Sequence, residues 1–151
     1  MQHHVVEVTP TINTDAYTAN DQVGGLMTLS GACDGPGAGA VLRQVTIVDK
    51  AKQKAAMTVL LFDESPTVAS SNNAAVDVAD AQMAGKCMGS VSVAAGDYAD
   101  VANSSVATKA TTFWARPIAG QTTLYALAYT TGTPTYGADG DLVFRFHFTW
   151  E

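Results

Sequence analysis

Three histidines are the side chains best suited to acid–base or metal chemistry, and their spacing favours neither. His3 and His4 are adjacent, so within a strand they point to opposite faces of a sheet. His147 alternates with Arg145 and Thr149 in the last strand-like run, which indicates an outward-facing surface or interface position. Metal centres need clustered ligands, so we expect neither a metal nor another cofactor.

Nucleophile and phosphate motifs are missing from the sequence as well. Cys33 and Cys87 form no Cys-x-x-Cys pair, and we expect two buried or half-buried free thiols, although the sequence leaves a disulfide between them open. No Gly-x-Ser-x-Gly elbow occurs. Gly31–Gly39 is glycine-rich like a phosphate-binding loop, but it lacks the Gly-Lys-Ser/Thr ending of that motif. It is therefore predicted to be a flexible connection. We therefore do not expect an enzyme.

Acidic side chains occur mainly at turn-like positions. Asp139 and Asp141 bracket Gly140, and loop oxygens of this kind can bind calcium. The spacing lacks the order of a known calcium loop, so turn formation is the simpler interpretation and ion binding stays open.

The composition argues against nucleic-acid and membrane partners. The net charge is −6, with 8 Lys and Arg against 14 Asp and Glu, whereas nucleic-acid binding depends on basic side chains that neutralise phosphates. The cluster Lys50, Lys52 and Lys54 lies between two strand-like runs and is predicted to be a solvated tip. No stretch approaches the roughly 20 apolar residues of a membrane span, and the first residues lack a signal-peptide pattern. We expect synthesis in the cytoplasm without export.

The elements that would position these side chains are mainly strands, because the dominant hydrophobic period is two. The last residues give the clearest alternation, which predicts a half-buried strand at the centre of the core. One face of this strand carries Leu142, Phe144, Phe146, Phe148 and Trp150. Eight further runs are bounded by turn residues: Val5–Val8, Leu26–Leu29, Val41–Val48, Met57–Phe62, Met88–Ala94, Tyr98–Ala102, Thr111–Ala115 and Thr122–Thr130.

One helix is predicted over Ala74–Ala84, with Asn72 or Asn73 able to cap its start. Many short strands with a single short helix predict an all-β fold. We expect one β-sandwich domain over residues 1–151, of jelly-roll type.

The connections are predicted from sequence order. Val41–Val48 and Met57–Phe62 are expected to form one hairpin, and Thr122–Thr130 and Leu142–Trp150 a second. Residues 9–22 lack a strand pattern, so they form either an arm that a neighbouring molecule orders or a plain loop.

Because little catalytic chemistry is expected, the functional side chains are predicted to lie at an interface. Tyr125 and Tyr129 share one face of their strand, and tyrosine combines an apolar ring with a polar group. Phe113 and Trp114 are adjacent and must point in opposite directions, so one of them is less buried. The interface candidates are Tyr17, Trp114, Tyr125, Tyr129, Tyr136, Arg145 and His147.

Three stretches, Thr9–Leu29, Val45–Thr67 and Leu124–Phe148, together make up nearly half of the chain and contain short patterns that stand out. The patterns are Ala16-Tyr17 with Gly24-Gly25, Asp49-Lys50 with Leu61-Phe62-Asp63, and Gly132-Thr133-Pro134-Thr135-Tyr136. In these patterns the chain resembles a family of small virion proteins of tailed bacteriophages that accompany the major capsid protein. None of the patterns is a catalytic motif.

The resemblance implies a non-catalytic decoration, or cement, protein on the exterior of an assembled phage head. It implies the major capsid protein as partner, a place on the virion surface after synthesis in the host cytoplasm, and a homotrimer. Two alternatives stay open. One is another virion component, such as a tail- or fibre-associated module. The other is a carbohydrate-binding β-sandwich module whose aromatic platform would use Trp114, Tyr125, Tyr129 and Tyr136.

Overall fold

A computed structural model of the chain describes residues 1–150, which are mainly strands. The strands are β1 (Gln2–Val8), β2 (Gln22–Leu29), β3 (Ala40–Asp49), β4 (Met57–Phe62), β5 (Cys87–Val93), β6 (Tyr98–Asp100), β7 (Ser105–Ala115), β8 (Leu124–Thr130) and β9 (Leu142–Trp150). One α-helix, α1 (Asp80–Lys86), precedes β5, and a single 3₁₀ turn, Ala95–Asp97, precedes β6. No helix within the described residues has the length and apolarity that a membrane crossing requires.

The strands form two antiparallel sheets that share one core. The five-stranded sheet has the order β1-β9-β3-β7-β6, and the four-stranded sheet has the order β2-β8-β4-β5. Within these sheets β1 pairs with β9, β2 with β8, β3 with β7 and β4 with β5, so the pairs are nested along the chain. Two sheets built from four nested antiparallel pairs are a jelly roll. The prediction of an all-β sandwich is confirmed.

β9 is an interior strand of the five-stranded sheet, between β1 and the central strand β3, and one of its faces is buried in the core, as its alternation predicted. Four of its inward side chains are fully buried: Leu142, Phe144, Phe146 and Phe148. Burial of each such side chain is worth roughly 1.5–3 kcal/mol. The fifth, Trp150, is half-buried, and its indole N–H donates a hydrogen bond of 2.7 Å to the carbonyl of Ala32.

Both predicted hairpins are wrong, although the strands themselves are correct. β3 and β4 belong to different sheets, and so do β8 and β9. Alternation decides which face of a strand is buried, but it does not decide which strand lies alongside. The predicted lysine tip is therefore part of a crossing between sheets, and buried Asp49 organises it. Its carboxylate accepts hydrogen bonds of 2.9 Å from the N–H groups of Ala51 and Lys54.

The helix is shorter than predicted and begins at Asp80 rather than at Ala74. Neither asparagine caps it, because both side chains have partners elsewhere. The Asn72 Oδ1 accepts hydrogen bonds from the N–H of Gly24 (2.8 Å) and the hydroxyl of Tyr17 (2.7 Å). The Asn73 amide donates to the side-chain oxygen of Asn13 at 3.0 Å.

Residues 9–21 are a loop packed against their own domain, and Gln22 already begins β2, so the interpretation of residues 9–22 as an arm is wrong. The N–H of Tyr17 donates to the carbonyl of Pro134 at 2.9 Å. Ile12 is buried, and its N–H donates to Oδ1 of Asp139 at 3.2 Å. The loop therefore closes one end of the sandwich against the β8–β9 connection.

The long connection between β4 and β5, residues 63–86, lies across the outer face of the four-stranded sheet; we call it the covering segment. Phe62 and Leu127 belong to the outward alternation of β4 and β8, yet both are fully buried. A hollow of about 220 Å³ lies between segment and sheet. Its walls are Leu60, Val76, Val78, Met83 and Tyr129. The middle of this outer face is thus covered by the chain itself, whereas outward residues of its edge strands, such as Thr28 and Ser92, are exposed.

Candidate interaction surface

The outer face of the five-stranded sheet is the surface most suited to a partner. It consists of the outward side chains of β1, β9, β3 and β7, and we call it the open face. It runs from His3 and Glu7 at one edge to Thr108 and Trp114 at the other, and these four side chains are all exposed. The side chains on its central strands are mostly half-buried. No segment within residues 1–150 crosses it in the way that the covering segment crosses the other sheet.

Trp114 is the most prominent side chain of the open face, with 79% of its surface exposed. Its neighbour Phe113 turns to the inner side and packs so tightly against Gly89 that a Cβ there would lie 2.5 Å from the ring. The prediction that these adjacent aromatics point in opposite directions is therefore confirmed. An exposed tryptophan on a rigid strand offers a large contact area to a partner at little cost in conformational entropy.

A hollow of about 390 Å³ lies beside Trp114. Val41, Thr149 and Trp150 contribute to its walls, and Arg43 lies at its side with Nε donating to Oγ1 of Thr149 at 3.2 Å. The guanidinium has this direction because the β3 register shifts between Leu42 and Gln44, and such bulges re-aim a side chain. Apolar walls and a cation therefore occur together at this end of the open face.

Sequence reasoning did not single out Arg43, although a signal for it was present. Two polar residues in succession, Arg43 and Gln44, interrupt the apolar run of β3 and break its period of two. Such a break is typical of a β-bulge.

The open face carries more positive charge than the rest of this acidic protein. Its one outward carboxylate among the described residues is Glu7, which is 2.6 Å from the guanidinium of Arg145. Arg43 and Arg116 have no carboxylate within ion-pair distance in residues 1–150. Arg116, one residue beyond β7, donates from Nε to the carbonyl of Gly37 at 2.8 Å. The Trp114 end therefore suits an acidic partner surface.

Arg145 and His147 lie side by side on the open face, as predicted. The His147 ring stacks on His3 with 5.5 Å between ring centroids. Burial lowers the pKa of His147, and the neighbouring His3 and Arg145 lower it further. His147 is therefore neutral at pH 7 and suited to stacking and hydrogen bonding. Within residues 1–150 no three His, Cys, Asp or Glu side chains gather as metal ligands would.

Tyr17 and Tyr136 are not surface residues, so their prediction as interface candidates is wrong. Each is only 1% exposed, and their rings meet edge to face with 5.6 Å between centroids. They join the two loops that close one end of the sandwich. Burial raises the pKa of both hydroxyls. Aromatic residues in polar loops suggested exposure, whereas here they extend the core beyond the strands.

The remaining aromatic candidates are on opposite sides of the molecule. Tyr125 and Tyr129 are half-buried on the outer side of β8, in the sheet that the covering segment crosses. Trp114 is on the open face of the other sheet, and Tyr136 is in the core. The structure therefore does not bring the four residues of the expected sugar platform onto one surface.

The acidic and thiol residues have structural positions. The Asp141 carboxylate accepts hydrogen bonds of 2.9 Å from the N–H groups of Gly137 and Ala138, as expected for turn formation. Cys33 and Cys87 are both free, the first buried and the second half-buried.

No protein-family model and no curated protein matches the chain.

Proposed function

We propose that this chain is a non-catalytic decoration protein that binds the exterior of an assembled phage head and stabilises its lattice. The observation that carries the proposal is the difference between the two outer faces. The chain covers the middle of one with its own residues 63–86, whereas the other is open and presents Trp114. The link to a phage head rests on the resemblance of sequence patterns. The jelly roll is compatible by analogy, because it recurs in viral capsid and lectin domains.

A rigid sheet face is suited to binding an assembled lattice. A specific contact buries on the order of 800 Å² per partner, and a sheet loses little conformational freedom when it docks. A protein that binds only the assembled shell stabilises that shell by mass action. No reaction is needed for this function.

Trp114 would anchor the contact, since tryptophan and arginine dominate the binding energy of many interfaces. Arg43 and Arg116 would face carboxylates of the capsid protein, because neither has an acidic partner within its own described chain. Charges of this kind mainly accelerate association. Binding should therefore weaken as the salt concentration rises.

The test is co-sedimentation with empty shells assembled from the major capsid protein encoded alongside this chain. We expect saturable binding at a stoichiometry related to the lattice. Trp114→Ala should weaken binding about 30-fold, equivalent to about 2 kcal/mol. Val101→Ala is the matched control, because Val101 is also an exposed apolar residue, 55% exposed, but precedes the other end of β7. It should bind like the unchanged chain.

Either of two outcomes would reject the proposal. One is a lack of binding by the unchanged protein to any shell form. The other is equal binding by the Trp114→Ala and Val101→Ala variants, which would show that the open face does not contact the shell. If purified virions instead contain about a dozen copies or fewer, the alternative of a tail- or fibre-associated module is favoured.

A further inference from the structure

The free edge of β1 is a second surface that the proposed docking does not use. β1 pairs with β9 through seven consecutive residue pairs without a register shift, and no strand of residues 1–150 lies on its other side. Within the described chain, residues 2–8 make no main-chain hydrogen bond outside this pairing. In an antiparallel pair, alternate N–H and C=O groups of an edge strand point away from the sheet. Those of β1 are left for another strand.

The other three sheet edges are interrupted. β2 has a register shift between Val23 and Met27, and Gln22 exchanges main-chain bonds of 2.8 Å with Asn73 and Ala74. β5 pairs with β4 across a register shift. β6 has three residues, and the ion pair of Asp100 with a lysine lies at its end. Bulges, short strands and charges protect edges from pairing. β1 has seven residues without a bulge or proline, and its one acidic residue, Glu7, is paired with Arg145 of its own sheet.

The sequence of β1 is complementary to itself. In an antiparallel pair, residues that lie opposite each other are on the same face of the sheet. Because side chains alternate between the two faces along a strand, two copies of β1 can meet edge to edge only in registers where the numbers of the two opposite residues add to an even total. A register centred on Val5 places His3 of each copy opposite Glu7 of the other. Both side chains are exposed. No other register places His3 opposite Glu7, and registers centred on His3 or on Glu7 would place two histidines or two glutamates opposite each other.

We propose that two copies of this chain join through β1, antiparallel, about a twofold axis at Val5. The two five-stranded sheets then form one sheet of ten strands. The twofold axis is perpendicular to the sheet, so both open faces point in the same direction. The pair presents two Trp114 side chains on one side, which gives avidity to any lattice contact. The pairing itself does not depend on the proposed function.

The test measures the molar mass of the purified full chain by sedimentation equilibrium. We expect two chains at high micromolar concentration, and His3→Glu or Glu7→Lys should each raise the dissociation constant about tenfold or more, because the change acts twice across the twofold axis. An equimolar mixture of the two variants should recover the pair, since each substitution then faces an opposite charge. Thr108→Glu is the matched control, an exposed acidic substitution on β7, away from β1.

A monomer or a trimer of the unchanged protein would overturn the pairing, and so would a mixture that fails to associate. The sample contains no capsid shells, so the measured molar mass is independent of capsid binding. If the pairing fails, Trp114→Ala can still weaken shell binding. If the protein does not bind capsid shells, the molar mass and its change in the His3→Glu and Glu7→Lys variants still test the pairing.

Discussion

Gly24 lies where β2 is bent at the edge of the four-stranded sheet. Its φ is +73°, and a Cβ at this position would lie 2.4 Å from Cβ of Pro10. Gly24→Ala should lower the free energy of unfolding by about 2–4 kcal/mol, because backbone strain and overpacking add. Gly25→Ala is the matched control, since no atom lies within 4 Å of its Cβ position. Urea denaturation should separate the two variants, and similar midpoints would contradict this assignment.

The two thiols should differ in reactivity. Cys33 is 3% exposed, and burial raises the pKa of its thiol to about 11. At pH 8 only about one Cys33 in a thousand is then a thiolate, the form that reacts. Iodoacetamide should therefore leave Cys33 unlabelled in the native protein and label it in denaturant, as read by mass spectrometry. The Cys87→Ser variant should stay unlabelled until it unfolds, and rapid native labelling of that variant would contradict the prediction.

Among the elements, β9 is an interior strand that contributes a large part of the core. It lies between β1 and β3, and four of its side chains are fully buried. Deletion of residues 142–151 should abolish folding, because it removes β9, the strand that pairs with β1, and takes three phenylalanines from the core. Circular dichroism and thermal melting would check this. A soluble truncated chain that melts cooperatively would refute it.

The elements also separate what the sequence could predict from what it could not. All nine strands were predicted, and Met57–Phe62 matches β4 at both ends, because burial of one face imposes a period of two. The pairing could not be predicted, since a jelly roll sends successive strands such as β3 and β4 to different sheets. The helix start was misplaced because Asn72 bonds to residues distant in sequence.

The candidate surface was predicted only in part, for a related reason. Trp114, Arg145 and His147 are on the open face because strand alternation placed them there. Tyr17 and Tyr136 are in loops, where no period indicates which side chains turn inward. Their burial depends on how two distant loops meet. The asymmetry between the covered and open faces depends on residues 63–86, whose path has no local signal.

At the scale of the whole molecule, the nested pairing brings the first and last strands together. Gln2 lies opposite Trp150, so the β1–β9 contact joins residues nearly a full chain length apart. Contacts of this kind form slowly, because a long loop must close first. The molecule also has connections that join strands of different sheets. The one between β7 and β8 includes three consecutive exposed residues, 119–121.

A circular permutant can exploit both the distant β1–β9 pairing and the exposed connection between β7 and β8. We expect a chain that joins residue 151 to residue 1 through Asn-Gly, and opens between Ala119 and Gly120, to refold several-fold faster than the original order. The new linkage turns the most distant strand pair into a hairpin, while the opening breaks no hairpin because β7 and β8 are not paired. Stopped-flow refolding would measure the rate. The original order with Asn-Gly added after residue 151 is the control, and a permutant that refolds no faster than this control would show that closure of β1 on β9 does not limit folding.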